Sequence, residues 1–400
     1  MAKFLLLTHI YPPAVDGGSR AINKIGEYLE KQGHQILVLT TNCTSTDDFS
    51  SARHSQLNYG KDGSNIIRLP VFTFLHRPFK LLSKLLPNFK TFSKGPIFSP
   101  ISFFSSLKSI VQFHPDYIIA GPLPTTIILY ASFLHFLTTK LFHYSTKLLL
   151  VPCFHPNDPD FQSPILLSVL KKADYLWCLT DYEKKYFQKN LKITQPQYFV
   201  HGLGVDPDFI IDEKRIHYPK ETHLVFIANF SAHKRSELLI QAFDLILKKY
   251  PHSSLTLLGQ KTLYFPKIST FLKTIPPQTR SKIKFIFKPT PKQIKDAIDQ
   301  SSFLILPSVH ESFGLVFVES LARGKAIIGA NTPQTFEVIN TLKGGLTFKI
   351  DNLNNLTRTI IKLIKSPQLS KNLAHTGYQN IKSFYTWDRI GESLCKKLSL

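Results

Sequence analysis

Residues 307–330, PSVHESFGLVFVESLARGKAIIGA, decide how this chain is read. The apolar run FLIL at residues 303–306 stops at Pro307 and predicts a buried parallel strand ending at its carboxyl end. A short loop follows, then a helical pattern over residues 315–323, then Gly324 and a second strand at Ala326-Ile327-Ile328. In a strand–loop–helix–strand unit, ligands collect at the loop on the strand's carboxyl end. That loop carries Glu311, Phe313 and Gly314, and the helix carries Glu319. Gly314 admits close backbone approach, and the free amides at the helix start suit a phosphate. The two carboxylates stand eight positions apart and offer grips for different hydroxyls of one ligand. Taken singly, they read equally well as a solvated loop glutamate and an i,i+4 partner for Arg323.

The full string is more specific. It resembles the E-x7-E signature of the retaining, nucleotide-sugar-dependent glycosyltransferases of family 4, the glycosyl transferases group 1. The match covers Pro307, Ser308, Glu311, Phe313-Gly314-Leu315, Glu319 and the turn Ala322-Arg323-Gly324. The resemblance implies the α/β GT-B fold, in which two Rossmann-like, doubly wound domains face a central cleft.

Composition agrees with two domains. Four hundred residues exceed one ordinary domain, and 43% apolar content fills two cores. Cys43, Cys153, Cys178 and Cys395 are far apart and lack CxxC or Cys/His spacing, which argues against a structural zinc and fits a reducing cytosol. The apolar start, KFLLLTHIYPP from Lys3, is too short for a signal peptide, and no stretch reads as a spanning helix. The net charge of +22 is the unusual number. Between Asp62 and Asp158 the only acidic residue is Asp116. Residues 72–113 interleave Phe and Leu with Arg77, Lys80, Lys84, Lys90, Lys94 and Lys108, the pattern of an interfacial docking surface. Ordinary amphipathic helices in a lysine-rich proteome give the same pattern. Nucleic acid is disfavoured because no base-reading motif appears.

Strands alternate with helices along both halves, which predicts two parallel, doubly wound sheets. The strand at Lys3 ends in a loop with Gly17-Gly18, and Ser19 is placed to cap the helix that follows. Residues 147–153 form a strand that leads to His155. Thr180-Asp-Tyr-Glu183 fits a capping box. Gly202-Leu-Gly204-Val-Asp206-Pro has the composition of a linker, and the resemblance makes it the hinge. The domains are then residues 1–205 and 206–384, with a helix at about 385–400 packing back onto the first. In the second half, a strand ends at Asn229-Phe-Ser-Ala-His-Lys234-Arg235, and Asp351 is placed as the N-cap of the closing helices.

The resemblance also assigns roles. It makes His155 and Glu311 the catalytic candidates, with Glu311 on the donor sugar's hydroxyls and Glu319 on the nucleotide ribose. It puts Gly17, Gly18, Lys234, Phe313 and Gly314 on the donor diphosphate, with Arg235 beside them. Asn229 stands where the family carries an arginine, so half of the expected charge clamp is missing. No metal or other cofactor is expected. The expected activity is transfer of a sugar from a UDP- or GDP-linked donor to an acceptor hydroxyl, with retention, in cell-surface polysaccharide or lipid-linked glycan synthesis. The expected location is cytoplasmic, peripheral on the inner face of the membrane. The competing reading is an inactive GT-B protein that serves as a basic membrane- or nucleic-acid-binding module.

Overall fold

The computed structural model describes residues 1–14, 17–44, 49, 60–61, 65–85, 92 and 95–400. Lys90 and Lys94 of the basic aromatic segment lie outside the described residues. The chain divides into two units, Met1–Gly202 with Ile390–Leu400, and Leu203–Arg389.

In the first unit, the run KFLLLT becomes β1 (Lys3–Thr8), buried along almost its whole length as a strand covered on both faces must be. β2 (Gln35–Thr41), β3 (Gly60–Lys61), β4 (Ile66–Leu69), β5 (Tyr117–Gly121), β6 (Lys147–Leu150), β7 (Tyr175–Cys178) and β8 (Gln197–Val200) follow. They line up as β3-β4-β2-β1-β5-β6-β7-β8. Neighbours from β4 to β8 are parallel. The two-residue β3 runs antiparallel to β4, a departure from the expected all-parallel sheet. The link between them is too short for a crossover, which takes a dozen or more residues. The chain builds outward from β1 to β4, then returns and builds the other way from β5. Strand order therefore reverses between β1 and β5. Leu5, Leu7, Leu37, Ile118, Leu148 and Phe154 belong to the core beneath. The helix Arg20–Lys31 buries Ala21, Ile22, Ile25 and Leu29 against the sheet side, the face its periodicity predicts. Ser19 does not cap it: its backbone is already helical (φ −82°, ψ −15°), and capping needs an extended residue. The last helix, Trp387–Leu398, contributes Ile390 onward to this unit, where Tyr117 Oη donates to the Leu398 carbonyl at 3.0 Å.

The second unit holds β9 (His223–Ile227), β10 (Ser254–Gly259), β11 (Ile283–Phe287), β12 (Phe303–Leu306), β13 (Ala326–Ala330) and β14 (Gly345–Phe348). Their order is β11-β10-β9-β12-β13-β14, parallel throughout. Here the order reverses between β9 and β12. The stretch at residues 307–330 supplies β12's exit, the helix Leu315–Ala322 and β13, as its pattern predicts. The expected cap at Asp351 is corrected: Asn352 caps the helix Leu353–Lys365, its side chain accepting from Asn355 N at 2.8 Å. Asp351 sits one residue before, at φ 51°, and its carboxylate accepts from Arg235 Nε at 2.8 Å.

Candidate functional site

In an open parallel sheet the crevice forms where strand order reverses, because the loops on either side leave in opposite directions. In the second unit that place lies beyond the carboxyl ends of β9 and β12. Val309 N donates to the His233 carbonyl at 2.9 Å and laces the two loops together. Lys234 ends a one-turn helix, Ala232–Lys234, and its Nζ donates to Glu311 Oε2 at 2.7 Å. Both side chains are largely buried, 17% and 13% exposed, so the pair is partly withdrawn from solvent. Ser308 Oγ donates to the His310 carbonyl at 2.8 Å and tightens the turn carrying Glu311.

Gly314 stands at φ +83° just before the helix Leu315–Ala322, and a Cβ there would lie 2.5 Å from the Phe317 ring. Only glycine satisfies both conditions, which explains the Phe-Gly pair at the helix start. Phe313 is buried, with its ring 6.1 Å from Tyr385. Glu319 is buried within the helix that Gly314 opens.

The neighbouring cation faces elsewhere. Arg235, at φ 52°, forks onto Asp351 through Nε at 2.8 Å and Nη2 at 3.1 Å, and its Nη1 donates to the Ala232 carbonyl. The Asp351 hydrogen bonds hold the guanidinium's pKa above its ordinary value. Asn229, in the position where an arginine is expected, is exposed, and its Oδ1 accepts from Gln260 N at 3.3 Å. That bond ties the exit of β9 to the exit of β10 and adds no charge.

The first unit repeats the arrangement at its own reversal point. Gly17 and Gly18 follow β1, and a Cβ on Gly18 would meet Pro122 Cγ at 2.7 Å and His9 Cε1 at 3.7 Å. Pro122 follows β5, so the absent side chain lets the two loops touch. His155 lies beyond β6, with its ring edge-on to Phe161 at 4.8 Å. The loop carrying it is anchored by Glu183, whose carboxylate accepts from Phe154 N at 2.9 Å and Leu179 N at 2.7 Å. Thr180 Oγ1 accepts from Glu183 N at 3.1 Å, so the threonine half of the capping box forms as predicted.

Lys234, Glu311, Phe313, Gly314 and Glu319 thus gather on two loops and one helix of the second unit, while Gly17, Gly18 and His155 belong to the first. Two long-range links escaped the sequence reading. Asp351 is 116 positions from Arg235, and no periodicity signals that pairing. Glu183 was legible as a cap, but its bond to Phe154 N, 29 positions away, was not. Among the described residues, no group of three or more His, Cys, Asp or Glu side chains is placed to hold a metal ion.

Comparison with known proteins bears on the family and the fold. Residues 208–380 match the family described as glycosyl transferases group 1. An uncharacterized glycosyltransferase of Methanocaldococcus jannaschii is 26% identical over 217 residues, 54% of this chain and 57% of that protein. The N-acetyl-alpha-D-glucosaminyl L-malate synthase of Bacillus anthracis is 25% identical over 170 residues, 42% of this chain and 43% of that protein. The chain thus spans about half the length of these curated relatives. Among solved structures, sucrose-phosphate synthase from Thermosynechococcus elongatus superposes with a TM-score of 0.74 at 16% identity, covering 100% of this chain and 98% of that one. HepE from Anabaena, in complex with UDP and glucose, gives 0.71 at 15% identity, with 100% of both chains covered. At such identities the superpositions establish the fold. Over residues 208–380 the chain is thus similar to the glycosyl transferases group 1, and its two Rossmann-like units have the GT-B fold.

Proposed function

We propose that the protein is a retaining glycosyltransferase of family 4 type, moving a sugar from a nucleoside-diphosphate donor to an acceptor hydroxyl. One observation carries the reading: a lysine and a glutamate, from loops 77 positions apart, meet at the strand-order reversal of the second unit. When a glycosidic bond to a diphosphate breaks, negative charge develops on the departing oxygen. A fixed cation and oriented amides lower the barrier by stabilising that charge in place. Lys234 is the cation, and the amides around Phe313 and Gly314 add donors at the helix start. A diphosphate beside Lys234 competes with Glu311 for the ammonium and releases the carboxylate to accept from the sugar's hydroxyls. Glu319 takes the ribose. For the first unit, the family resemblance assigns phosphate-binding amides to the Gly17-Gly18 turn and orientation of the sugar to His155.

Retention of configuration rests on the family resemblance. So does a place in cell-surface polysaccharide or lipid-linked glycan synthesis, with UDP- or GDP-linked donors. The reading draws support from a relative named as a glycosyltransferase and from a neighbour of the same fold solved with UDP and glucose. Asn229 favours the second reading, a binding module without turnover, because its side chain is tied to Gln260 N and supplies no charge to a leaving group. Incubation of the purified chain with UDP- and GDP-sugars separates the two. Release of nucleotide that falls by about two orders of magnitude in Lys234→Ala supports the enzyme. Absence of both donor binding and release across the panel removes it.

A further inference from the structure

We propose that the first unit docks on an anionic lipid bilayer through the face built on the helices Pro100–Phe113 and Ile127–Phe136. The helix Pro100–Phe113 has a clear inner side. Phe103, Ser106 and Ile110 are buried, and the Phe103 ring lies 5.0 Å from Tyr130 of the neighbouring helix. Its other side is not what a water-facing helix shows. Ile101 and Phe104 are 84% and 62% exposed, and Lys108 follows one turn on. On the neighbouring helix and the turn after it, Phe133, Phe136, Leu141 and Phe142 are also exposed, with Lys140 among them. The two rows meet over one ring: Phe103 lies 6.0 Å from Phe104 and 6.1 Å from Phe133. Residues 72–85 adjoin the start of the first helix, since Phe72 N donates to the Ile97 carbonyl at 2.6 Å and Ser99 N to the Pro70 carbonyl at 2.9 Å. They add exposed Phe74, Leu81 and Leu85 beside Arg77, Lys80 and Lys84.

Charge decides the occupant. From residue 63 to residue 157 the sequence has one carboxylate, Asp116, and that side chain accepts from Lys3 N at 2.8 Å. The face therefore presents aromatic and aliphatic side chains interleaved with lysine and arginine. A second copy of this chain would set like charge against like. A nucleic acid would match the lysines and leave Ile101, Leu81 and Leu85 without apolar partners. An anionic bilayer matches both, with headgroup phosphates for the ammonium groups and acyl chains for the rings. Among the described residues no helix is long and apolar enough to cross a membrane, so the contact is peripheral.

Vesicle co-sedimentation of the full chain tests this, with phosphatidylcholine alone and phosphatidylcholine mixed with phosphatidylglycerol. Binding is expected only to the mixed vesicles and should weaken with salt. Each of Lys80→Gln, Lys84→Gln and Lys108→Gln should lower the partition constant about fivefold. The pair Phe104→Ser, Phe136→Ser should lower it further while its thermal midpoint stays near that of the parent. A single Phe104→Trp substitution reports directly, because the emission of that variant should shift to the blue on mixed vesicles. Equal binding to both vesicle types overturns the proposal. So does binding to mixed vesicles during which the Phe104→Trp variant shows no blue shift beyond the parent's. Light scattering that shows a dimer dissociated by the Phe104→Ser, Phe136→Ser pair, with no vesicle binding, overturns it too and assigns the face to self-association.

Discussion

Lys234 and Glu311 pair in a largely buried place, and such a pair is asymmetric in what its loss costs. Removing one member leaves the other charge poorly solvated, a larger penalty than the pair's net worth. Glu311→Gln keeps the shape and an oxygen acceptor while releasing the ammonium from its carboxylate. It should retain UDP or GDP binding within a few-fold by calorimetry and lose turnover by about two orders of magnitude. Lys234→Ala should behave the other way on binding, weakening the nucleotide by about 2 kcal/mol through loss of charge-assisted hydrogen bonds. Equal losses of affinity in both variants would contradict these separate roles. The Arg235–Asp351 fork is well aligned, but both side chains are more than a third exposed. Screening limits such a pair, so Asp351→Asn should cost under about 1 kcal/mol in urea unfolding, and less at high salt.

At the scale of elements, loops are held by single side chains whose removal has a calculable local effect. Glu183 is almost fully buried and accepts from two backbone amides on loops that follow β6 and β7. Glu183→Ala strands both amides and should destabilise the chain by about 2–4 kcal/mol in chemical denaturation. Glu183→Gln, which keeps one acceptor oxygen, should recover part of that. Gly314 opens the helix Leu315–Ala322 from the left-handed region with Phe317 packed where a Cβ would go. Gly314→Ala should therefore cost at least about 1 kcal/mol and shift the helix start. The element pattern was largely legible in advance. Strand runs such as KFLLLT and FLIL are apolar throughout because parallel strands are covered on both faces. The misses fall at caps, Ser19 and Asp351, where backbone torsion rather than residue type decides whether a side chain can reach an amide.

Over the whole molecule the large positive charge sets pH behaviour, and one lysine stands apart from the rest. Lys325 is fully buried after Gly324, with its Nζ donating to the His217 carbonyl and 5.3 Å from the Tyr218 ring. Burial lowers its pKa from 10.5 to about 8, with Asp299 opposing the shift. A folded pKa below the unfolded one means the folded chain gives up this proton first as pH rises. Between about pH 8 and the free-lysine range the unfolded chain holds more protons, so the stability owed to this side chain increases with pH. The unfolding free energy of the parent minus that of Lys325→Met should therefore grow from about pH 7 to about pH 10 in matched denaturant titrations. A difference that is flat or falls with pH contradicts the assignment.

By itself the sequence determined two alternating strand–helix halves, the strand ends at which chemistry collects, and the spacing of Glu311 and Glu319 on a loop and its helix. Those are local properties, set by apolar periodicity, glycine and proline within a few residues of one another. Only the tertiary structure decided that β9 lies beside β12, because strand order depends on which crossovers pack and is written in no single stretch. That one adjacency brings Lys234 to Glu311, and a second long-range fold-back gives Arg235 to Asp351. Ion pairs form where backbones place opposite charges within reach, and residues 77 and 116 positions apart come within reach only in the folded chain.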